Sequence, residues 1–503
     1  MSELFRRLVA DADEESTFLI AGDRRITYRE MEALTGQAAA ALVALGVAPG
    51  DRVAVQIEKS VEGLFLYLAA IRAGAVYLPL NTAYTPAELD YFLDDAEPAL
   101  FVCDPAKLDA LSPVAEKAGV PRVETLDGNG EGSFSDAVAE MPVDGFRDIG
   151  VGGDDLAAIL YTSGTTGRSK GAMITHENLA SNAEALVELW QFGKDDVLLH
   201  TLPIFHVHGL FTATNTAMRA GAAMIFLPKF DVDAVLAALP QATVMMGVPT
   251  FYSRLLGSDA FDRDLVSGMR LFISGSAPLS PETHKYFFER TGQAILERYG
   301  MTETSMITSN PYDGARKPGT VGMPLPGVSV RIADPESGDV LPDGEVGVIE
   351  VSGPNVFKGY WKKPEKTAEE FRADGWFITG DLGYVDGDGY VCIAGRAKDL
   401  VISGGFNVYP AEIEAAIDAL PGVKESAVIG VPHRDFGEGV TAVIAIKPGA
   451  HVSEEGIRSG LEGELASFKI PKRVVIVDEL PRNIMGKVQK AALREAYRDL
   501  YGG

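Results

Sequence analysis

The stretch Tyr161-Thr-Ser-Gly-Thr-Thr-Gly-Arg-Ser-Lys-Gly171 follows the apolar run Ala157–Tyr161. A buried strand thus feeds a loop with five hydroxyls, three glycines and Lys170. Glycines let backbone N–H groups approach an anion closely, and Ser and Thr hydroxyls add further donors. Lys170 supplies a point charge. Together they make what a polyphosphate requires. The spacing is not that of a Walker loop, which needs glycine directly before lysine. Here Gly167 is followed by Arg168 and Ser169.

Outward from this loop, helix and strand signals alternate. Thr27-Tyr28-Arg29-Glu30 reads as a capping box that opens an Ala/Leu-rich helix stopping at Gly46. Arg52 to Ile57 and Ala75 to Leu80 read as strands on either side of a helix beginning near Val61. A second α/β block is expected from about Asp155 to Asn310. From Pro318 to Ile393, short strands between Pro/Gly turns suit a small β-barrel. After Gly395, Pro410 starts one helix, and Ser453 caps another carrying Ile457, Leu461, Leu465 and Phe468. The fold class is therefore α/β. It comprises a large N-terminal domain (1–395) of two α/β sheet subdomains plus a small β-barrel, and a small mobile α/β C-terminal domain (396–503).

The chain of 503 residues has 45 Lys and Arg against 71 Asp and Glu, a formal net charge of −26. That argues against a general nucleic-acid binder and against docking on an anionic membrane. An apolar content of 46% excludes a disordered acidic chain. Cys103 and Cys392 lie in no ligand spacing and read as buried thiols, which suits a reducing cytoplasm. The N-terminus lacks the apolar core of a signal peptide. The stretch Leu64 to Leu80, broken by Arg72, Gly74 and Pro79, reads as buried helix and strand rather than a membrane span.

The loop resembles the phosphate loop of the adenylate-forming superfamily, which includes acyl-CoA synthetases, peptide-synthetase adenylation domains and luciferases. Further motifs follow in order. Arg298-Tyr-Gly-Met-Thr-Glu-Thr304 resembles the Tyr-Gly-x-Thr-Glu segment. Thr379-Gly-Asp-Leu-Gly383 resembles the ribose turn. The run from Gly395 to Pro410 resembles the hinge and its loop. Pro481-Arg-Asn-Ile-Met-Gly-Lys-Val-Gln-Lys490 resembles the C-terminal catalytic-lysine motif.

The resemblance implies ATP and CoA as co-substrates and Mg²⁺ as cofactor. It implies nucleotide contacts from Thr162, Ser163, Gly164, Thr165, Thr166, Lys170, Ser276, Ala277, Tyr299, Gly300, Thr302, Asp381 and Arg396. Glu303, with Thr162, would hold the metal, and a hard carboxylate oxygen is what Mg²⁺ needs beside phosphates. Lys487 and Glu303 would be the catalytic residues. Lys398 would be the hinge. Ser403, Gly404, Gly405 and Phe406 would line the CoA path after the small domain rotates. With the lysine motif so close to Gly503 and no carrier segment after it, a standalone ligase is preferred to a peptide-synthetase module, as a monomer or weak homodimer.

The acid pocket in this family matches Phe205–His208, Gly247–Phe251, Ser274–Pro278 and Arg298–Met306 here. Fatty and aromatic acids need apolar walls, and Arg298 departs from that need. A buried arginine is costly unless an anion meets it, and a second substrate carboxylate would do so. A rival reading points Arg298 outward to Glu297 or Glu289, or at phosphate. His206 and Ser274 would add hydrogen bonds, and Val207, Met301 and Met306 would line the acyl pocket, with Val207 and Met306 as walls that limit length. The runs LYTSGTTGRSKGAM (160–173), LFISGSAPL (271–279), ERYGMTET (297–304) and GFNVYP (405–410) also resemble those of malonyl-CoA synthetases. Malonate is therefore the expected acid, with methylmalonate tolerated. The alternative is a CoA ligase for another short or aryl acid.

Overall fold

A computed structural model describes residues 2–162, 169–403, 406–462, 464–483 and 486–502. Four sheets organise them. The largest has nine strands. Its parallel core runs Thr17–Ala21, Ala223–Phe226, Val197–His200, Val244–Gly247, Leu271–Ser274, Leu296–Met301. The strands Val244–Gly247 and Leu271–Ser274 are buried throughout, as a parallel sheet covered on both faces requires. Antiparallel strands close both edges: Arg24–Thr27 on one side, Ser305–Ser309 and Met323–Pro324 on the other.

The second sheet has six strands in the order Val123–Thr125, Leu100–Cys103, Arg52–Gln56, Val76–Pro79, Leu156–Thr162, Lys170–Thr175. Here the sequence blocks and the sheets part company. Leu156–Thr162 was expected to open the second α/β block, yet it pairs with Val76–Pro79 of the first. Conversely, the N-terminal strand Thr17–Ala21 joins Ala223–Phe226 in the nine-stranded sheet. Periodicity reports that a segment is a buried strand, not which strand lies beside it.

Local signals set the helix starts. The Thr27 side chain accepts from Glu30 N–H, and the Glu30 carboxylate accepts from Thr27 N–H at 2.8 Å, beginning helix Tyr28–Ala44. The apolar run after Ser60 becomes helix Val61–Arg72, then strand Val76–Pro79, buried throughout except for Glu62. No helix among the described residues is long and apolar enough to cross a membrane. Both cysteines are free and buried.

The expected small barrel is a four-stranded antiparallel sheet: Ser329–Ala333, Gly347–Ser352, Phe377–Val385, Val391–Arg396. Among the described residues its pairing does not return from last strand to first. The last strand instead exchanges backbone hydrogen bonds with Val321 and Gly322, which ties the sheet to the edge of the nine-stranded one.

The C-terminal sheet holds Phe406–Val408, Val401–Ser403, Gly437–Ile446, Val423–His433 and Arg473–Val477. Helices Pro410–Asp418 and Glu454–Leu461 cover one face through Ile413, Ile417, Ile457 and Leu461. The second helix ends earlier than the periodicity suggests. Glu462 turns to an extended backbone, so Leu465 and Phe468 reach the same core from a loop.

Candidate active site

The strand Leu296–Met301 is the axis of the site. Side chains alternate across a strand, so Glu297 and Tyr299 face one way and Arg298 the other. All three are buried. The Tyr299 hydroxyl donates to Asp381 Oδ2 at 2.5 Å. Asp381 sits opposite Arg396 in the register of the four-stranded sheet, and Arg396 Nε meets Asp381 Oδ1 at 2.9 Å. Burial first, then the Asp381 charge, raise the Tyr299 hydroxyl well above its ordinary range. Asp381 in turn raises Arg396. Three residues expected at the nucleotide are thereby brought together, with Asp381 holding the other two.

Lys170 begins the strand Lys170–Thr175 and pairs with Glu370. Its ammonium also lies over the Tyr360 ring, 3.9 Å from the centroid. The Tyr360 hydroxyl is 2.5 Å from Glu370 Oε2 and 3.1 Å from Glu303 Oε1. Lys170 and Glu303 are thus linked through two residues that the motifs did not single out. Tyr360 and Glu370 are far from Lys170 in sequence, and nothing local marks them. Glu303 is buried, and burial raises its carboxyl above the usual range, with Lys170 acting in the opposite direction. A buried hard-oxygen carboxylate short of positive charge is a fitting ligand for Mg²⁺. No cluster of three or more His, Cys, Asp or Glu suited to a metal occurs among the described residues, so any such ion would depend on ligand oxygens as well. Thr162 lies beside Lys170, its Oγ1 3.5 Å from the Lys170 carbonyl oxygen. Ser163, Gly164, Thr165 and Thr166, and likewise Gly404 and Gly405, lie outside the described residues.

On the other face, Arg298 makes no ion pair among the described residues. Its Nε and Nη2 are buried without hydrogen-bond partners. Burial lowers its guanidinium to about 9. The outward reading fails: the Glu297 carboxylate faces away and accepts from Leu279 N–H at 3.3 Å. Further buried polar atoms without partners are Ser274 Oγ, His206 Nε2 and His208 Nε2, and of these the His208 imidazole lies within reach of the Arg298 charge. His208 Nδ1 is 3.2 Å from Ser276 Oγ. Ser276 has φ +70°, a strained value for a non-glycine residue and one that concentrates at functional sites. His208 completes the cluster although only its segment, not the residue, was marked in the sequence. Burial lowers both imidazoles, His206 to about 4 with help from the Lys487 charge, and His208 well below its ordinary range with help from Arg298. Both are therefore neutral at pH 7 and can donate or accept. Val207 and Met306 are buried, and Met301 partly so. Ala277 and Gly300, at the ends of this loop and strand, are half-buried.

Lys487 reaches this cleft from the C-terminal region. A turn in which Asn483 and Lys487 exchange hydrogen bonds, with Gly486 at φ +75°, presents it. The charges of Arg396, Asp381, Arg298 and Glu303 all act on its ammonium. Desolvation by the surrounding atoms lowers it, then Arg396. The side chain nonetheless keeps an opening to solvent, as expected for a group lining a cleft. Phe205, His206, Tyr161 and Thr302 line one small cavity in this cleft. Lys398 lies in the single turn Ala397–Asp399 joining the two regions. Ser403 and Phe406 are not in the cleft in this arrangement. Ser403 is buried in the C-terminal sheet, and Phe406 stacks on Phe468 at 4.6 Å.

Comparison with known proteins agrees with this geometry. The ATP-bound MatB of Rhodopseudomonas palustris is 60% identical over 99% of both chains, with a TM-score of 0.97. The apo form of that protein matches at the same identity and coverage with a TM-score of 0.87, so the present arrangement is nearer the ATP-bound one. The mitochondrial malonate–CoA ligase of Mus musculus is 39% identical over 490 residues, 90% of this chain and 82% of its own. A feruloyl-CoA synthase of Amycolatopsis sp is 37% identical, covering 95% of each. Residues 412–487 match the C-terminal domain described for AMP-binding enzymes, and residues 6–361 match the AMP-binding enzyme family itself. The chain belongs to the AMP-binding enzyme family.

Proposed function

We propose that the protein is an AMP-forming acid–CoA ligase whose acid is malonate: malonate, ATP and CoA give malonyl-CoA, AMP and pyrophosphate by way of malonyl-adenylate. The observation that carries malonate is Arg298, a buried cation whose Nε and Nη2 are unpaired, with a nearby His208 imidazole whose Nε2 also lacks a partner. Such a set is costly when empty and is satisfied by an anion with several acceptor oxygens. The similarity to the mouse malonate–CoA ligase and to MatB supports the same acid. The feruloyl-CoA synthase relative keeps an aryl acid as the alternative, and an unpaired guanidinium in the pocket argues against it.

One malonate carboxylate rests on Arg298 and the other attacks the ATP α-phosphate. Asp381 and Arg396 take the ribose, Tyr299 lies against the adenine, and Ser276, Ala277, Gly300 and Thr302 complete the nucleotide site. Lys170 exchanges Glu370 for a phosphate oxygen. Mg²⁺, held by Glu303 and Thr162, would neutralise phosphate charge. Lys487 stabilises the charge that develops at the α-phosphate. The region 396–503 then turns about Lys398 against 1–395. That movement withdraws Lys487 and carries Ser403 and Phe406 to the adenylate, where the CoA thiol attacks the activated carbonyl. Methylmalonate is tolerated where Val207 and Met306 leave room for one methyl group.

Purified enzyme with ATP, Mg²⁺ and malonate, without CoA, should form an adenylate that hydroxylamine traps, with release of pyrophosphate. Adding CoA should yield a thioester and AMP. Release of ADP instead, or trapping with an aryl acid but not malonate, contradicts the reading.

A further inference from the structure

Lys59 is a buried lysine that plays no part in the chemistry above. It follows the strand Arg52–Gln56 and lies next to Ser60, which caps helix Val61–Arg72. It is only 8% exposed and pairs with no carboxylate among the described residues. Its three donor directions are nevertheless met. Nζ is 2.9 Å from His200 Nδ1 and 2.8 Å from the His200 carbonyl oxygen, and it lies over the Phe226 ring at 4.1 Å. His200 ends the strand Val197–His200, and its Nε2 is 2.9 Å from the Gly209 carbonyl oxygen. A carbonyl oxygen can only accept, so Nε2 carries the proton and Nδ1 is left to accept from Lys59. Thr214 closes the arrangement, its hydroxyl 3.1 Å from the same Gly209 oxygen.

Gly209 is the residue after His208. A Cβ there would stand 2.1 Å from the Pro203 carbonyl oxygen, so the chain folds back on itself between 203 and 209. Within that fold sit His206 and His208, both with unpartnered Nε2 atoms, and His208 lies within reach of the Arg298 charge. The loop's far end is thus gripped by two residues that touch no substrate.

We propose that Lys59 and His200 form a buried relay that anchors the Gly209 carbonyl and thereby aims His208 into the acid site. Lys59 and His200 are positioning residues: they fix where a substrate-facing imidazole points. A lysine suits this task because its long stem crosses the core while its donors fix the tautomer of His200. The inference rests on the reading of His208 as an acid-site residue.

A double-mutant cycle separates a relay from simple core packing, because residues acting through one another are not additive. KM for acid and for ATP would be measured in the wild type, Lys59→Met, His208→Ala and the double variant. The acid is whichever one the wild type activates best, so a wrong guess of malonate does not decide the outcome. Lys59→Met should raise the acid KM about tenfold, leave the ATP KM within about twofold, and add less than about twofold once His208 is alanine. The same increment in both backgrounds, or acid and ATP KM rising together, overturns the relay. An unchanged acid KM in His208→Ala refutes the underlying reading of that residue. Should Lys59→Met fail to fold, Thr214→Val, which removes the hydroxyl shared by His200 and Gly209, completes the same cycle with the same criteria.

Discussion

The guanidinium of Arg298 lies flat against Gly275: a Cβ on that glycine would stand 2.4 Å from Cζ and 2.5 Å from Nε. The loop after strand Leu271–Ser274 is therefore moulded to the arginine, and any side chain at 275 must displace it. Gly275→Ala should raise the malonate KM by roughly 30-fold or more while the ATP KM changes little, since misplacing one charged hydrogen-bonding group costs about 2 kcal/mol. Steady-state kinetics with each substrate varied would show equal effects on both if the glycine merely shapes the nucleotide loop.

Arg298 also creates a conflict between stability and use. A buried cation with no ion pair among the described residues destabilises the empty protein, and exchanging it for an apolar side chain removes that penalty. Arg298→Met should melt several degrees higher than the wild type by calorimetry and lose malonate activation by about a hundredfold or more. A lower melting temperature would mean that the guanidinium is already satisfied in the free enzyme.

Lys487 is assigned to the first half-reaction alone. Lys487→Ala should slow pyrophosphate release by about a hundredfold or more, as loss of a charge-stabilising group does, yet form thioester from supplied malonyl-adenylate and CoA at near wild-type rate. Equal losses in the two assays would refute that division.

Glu297, on the face of the strand opposite Arg298, has its carboxyl raised to about 8 by burial. Its ordinary value is 4.5. Between these values the folded protein holds a proton that the unfolded chain has released, so stability falls as pH rises through that window and levels off above it. Glu297→Gln removes the titrating group. Its melting temperature should exceed that of the wild type by a margin that widens from pH 5 to pH 8. A constant margin would show that Glu297 is ionised throughout.

What was legible in the sequence was local. Thr27 with Glu30, Ser453 and Pro410 mark helix starts because a cap is built from residues a few positions apart. Arg298 stood out because a charge departs from the apolar walls that the resemblance implies for the acyl pocket. Lys170, Asp381, Arg396 and Lys487 could be singled out because each sits in a short motif. Partnerships over long separations were not legible. Tyr360 and Glu370 join Lys170 to Glu303 from 190 and 200 residues away, as 360 − 170 and 370 − 170 give. Lys59 meets His200 across 141 residues. The sheet to which Leu156–Thr162 belongs is likewise a matter of which neighbour completes its hydrogen bonds, and a buried apolar run carries no label for that. The net charge of −26 is consistent with a cleft that gathers Lys170, Arg298, Arg396 and Lys487, because such a count weighs the outer surface as heavily as the site.

The central claim is that Arg298 selects a dicarboxylate. Its most direct measurement is kcat/KM for malonate and for acetate in the wild type and in Arg298→Met, assayed side by side with ATP, Mg²⁺ and CoA. The wild type should prefer malonate by about a hundredfold or more, the scale of one buried charged contact, and the variant should lose that preference. Equal or better turnover of acetate by the wild type, or a malonate preference that survives in Arg298→Met, would contradict it.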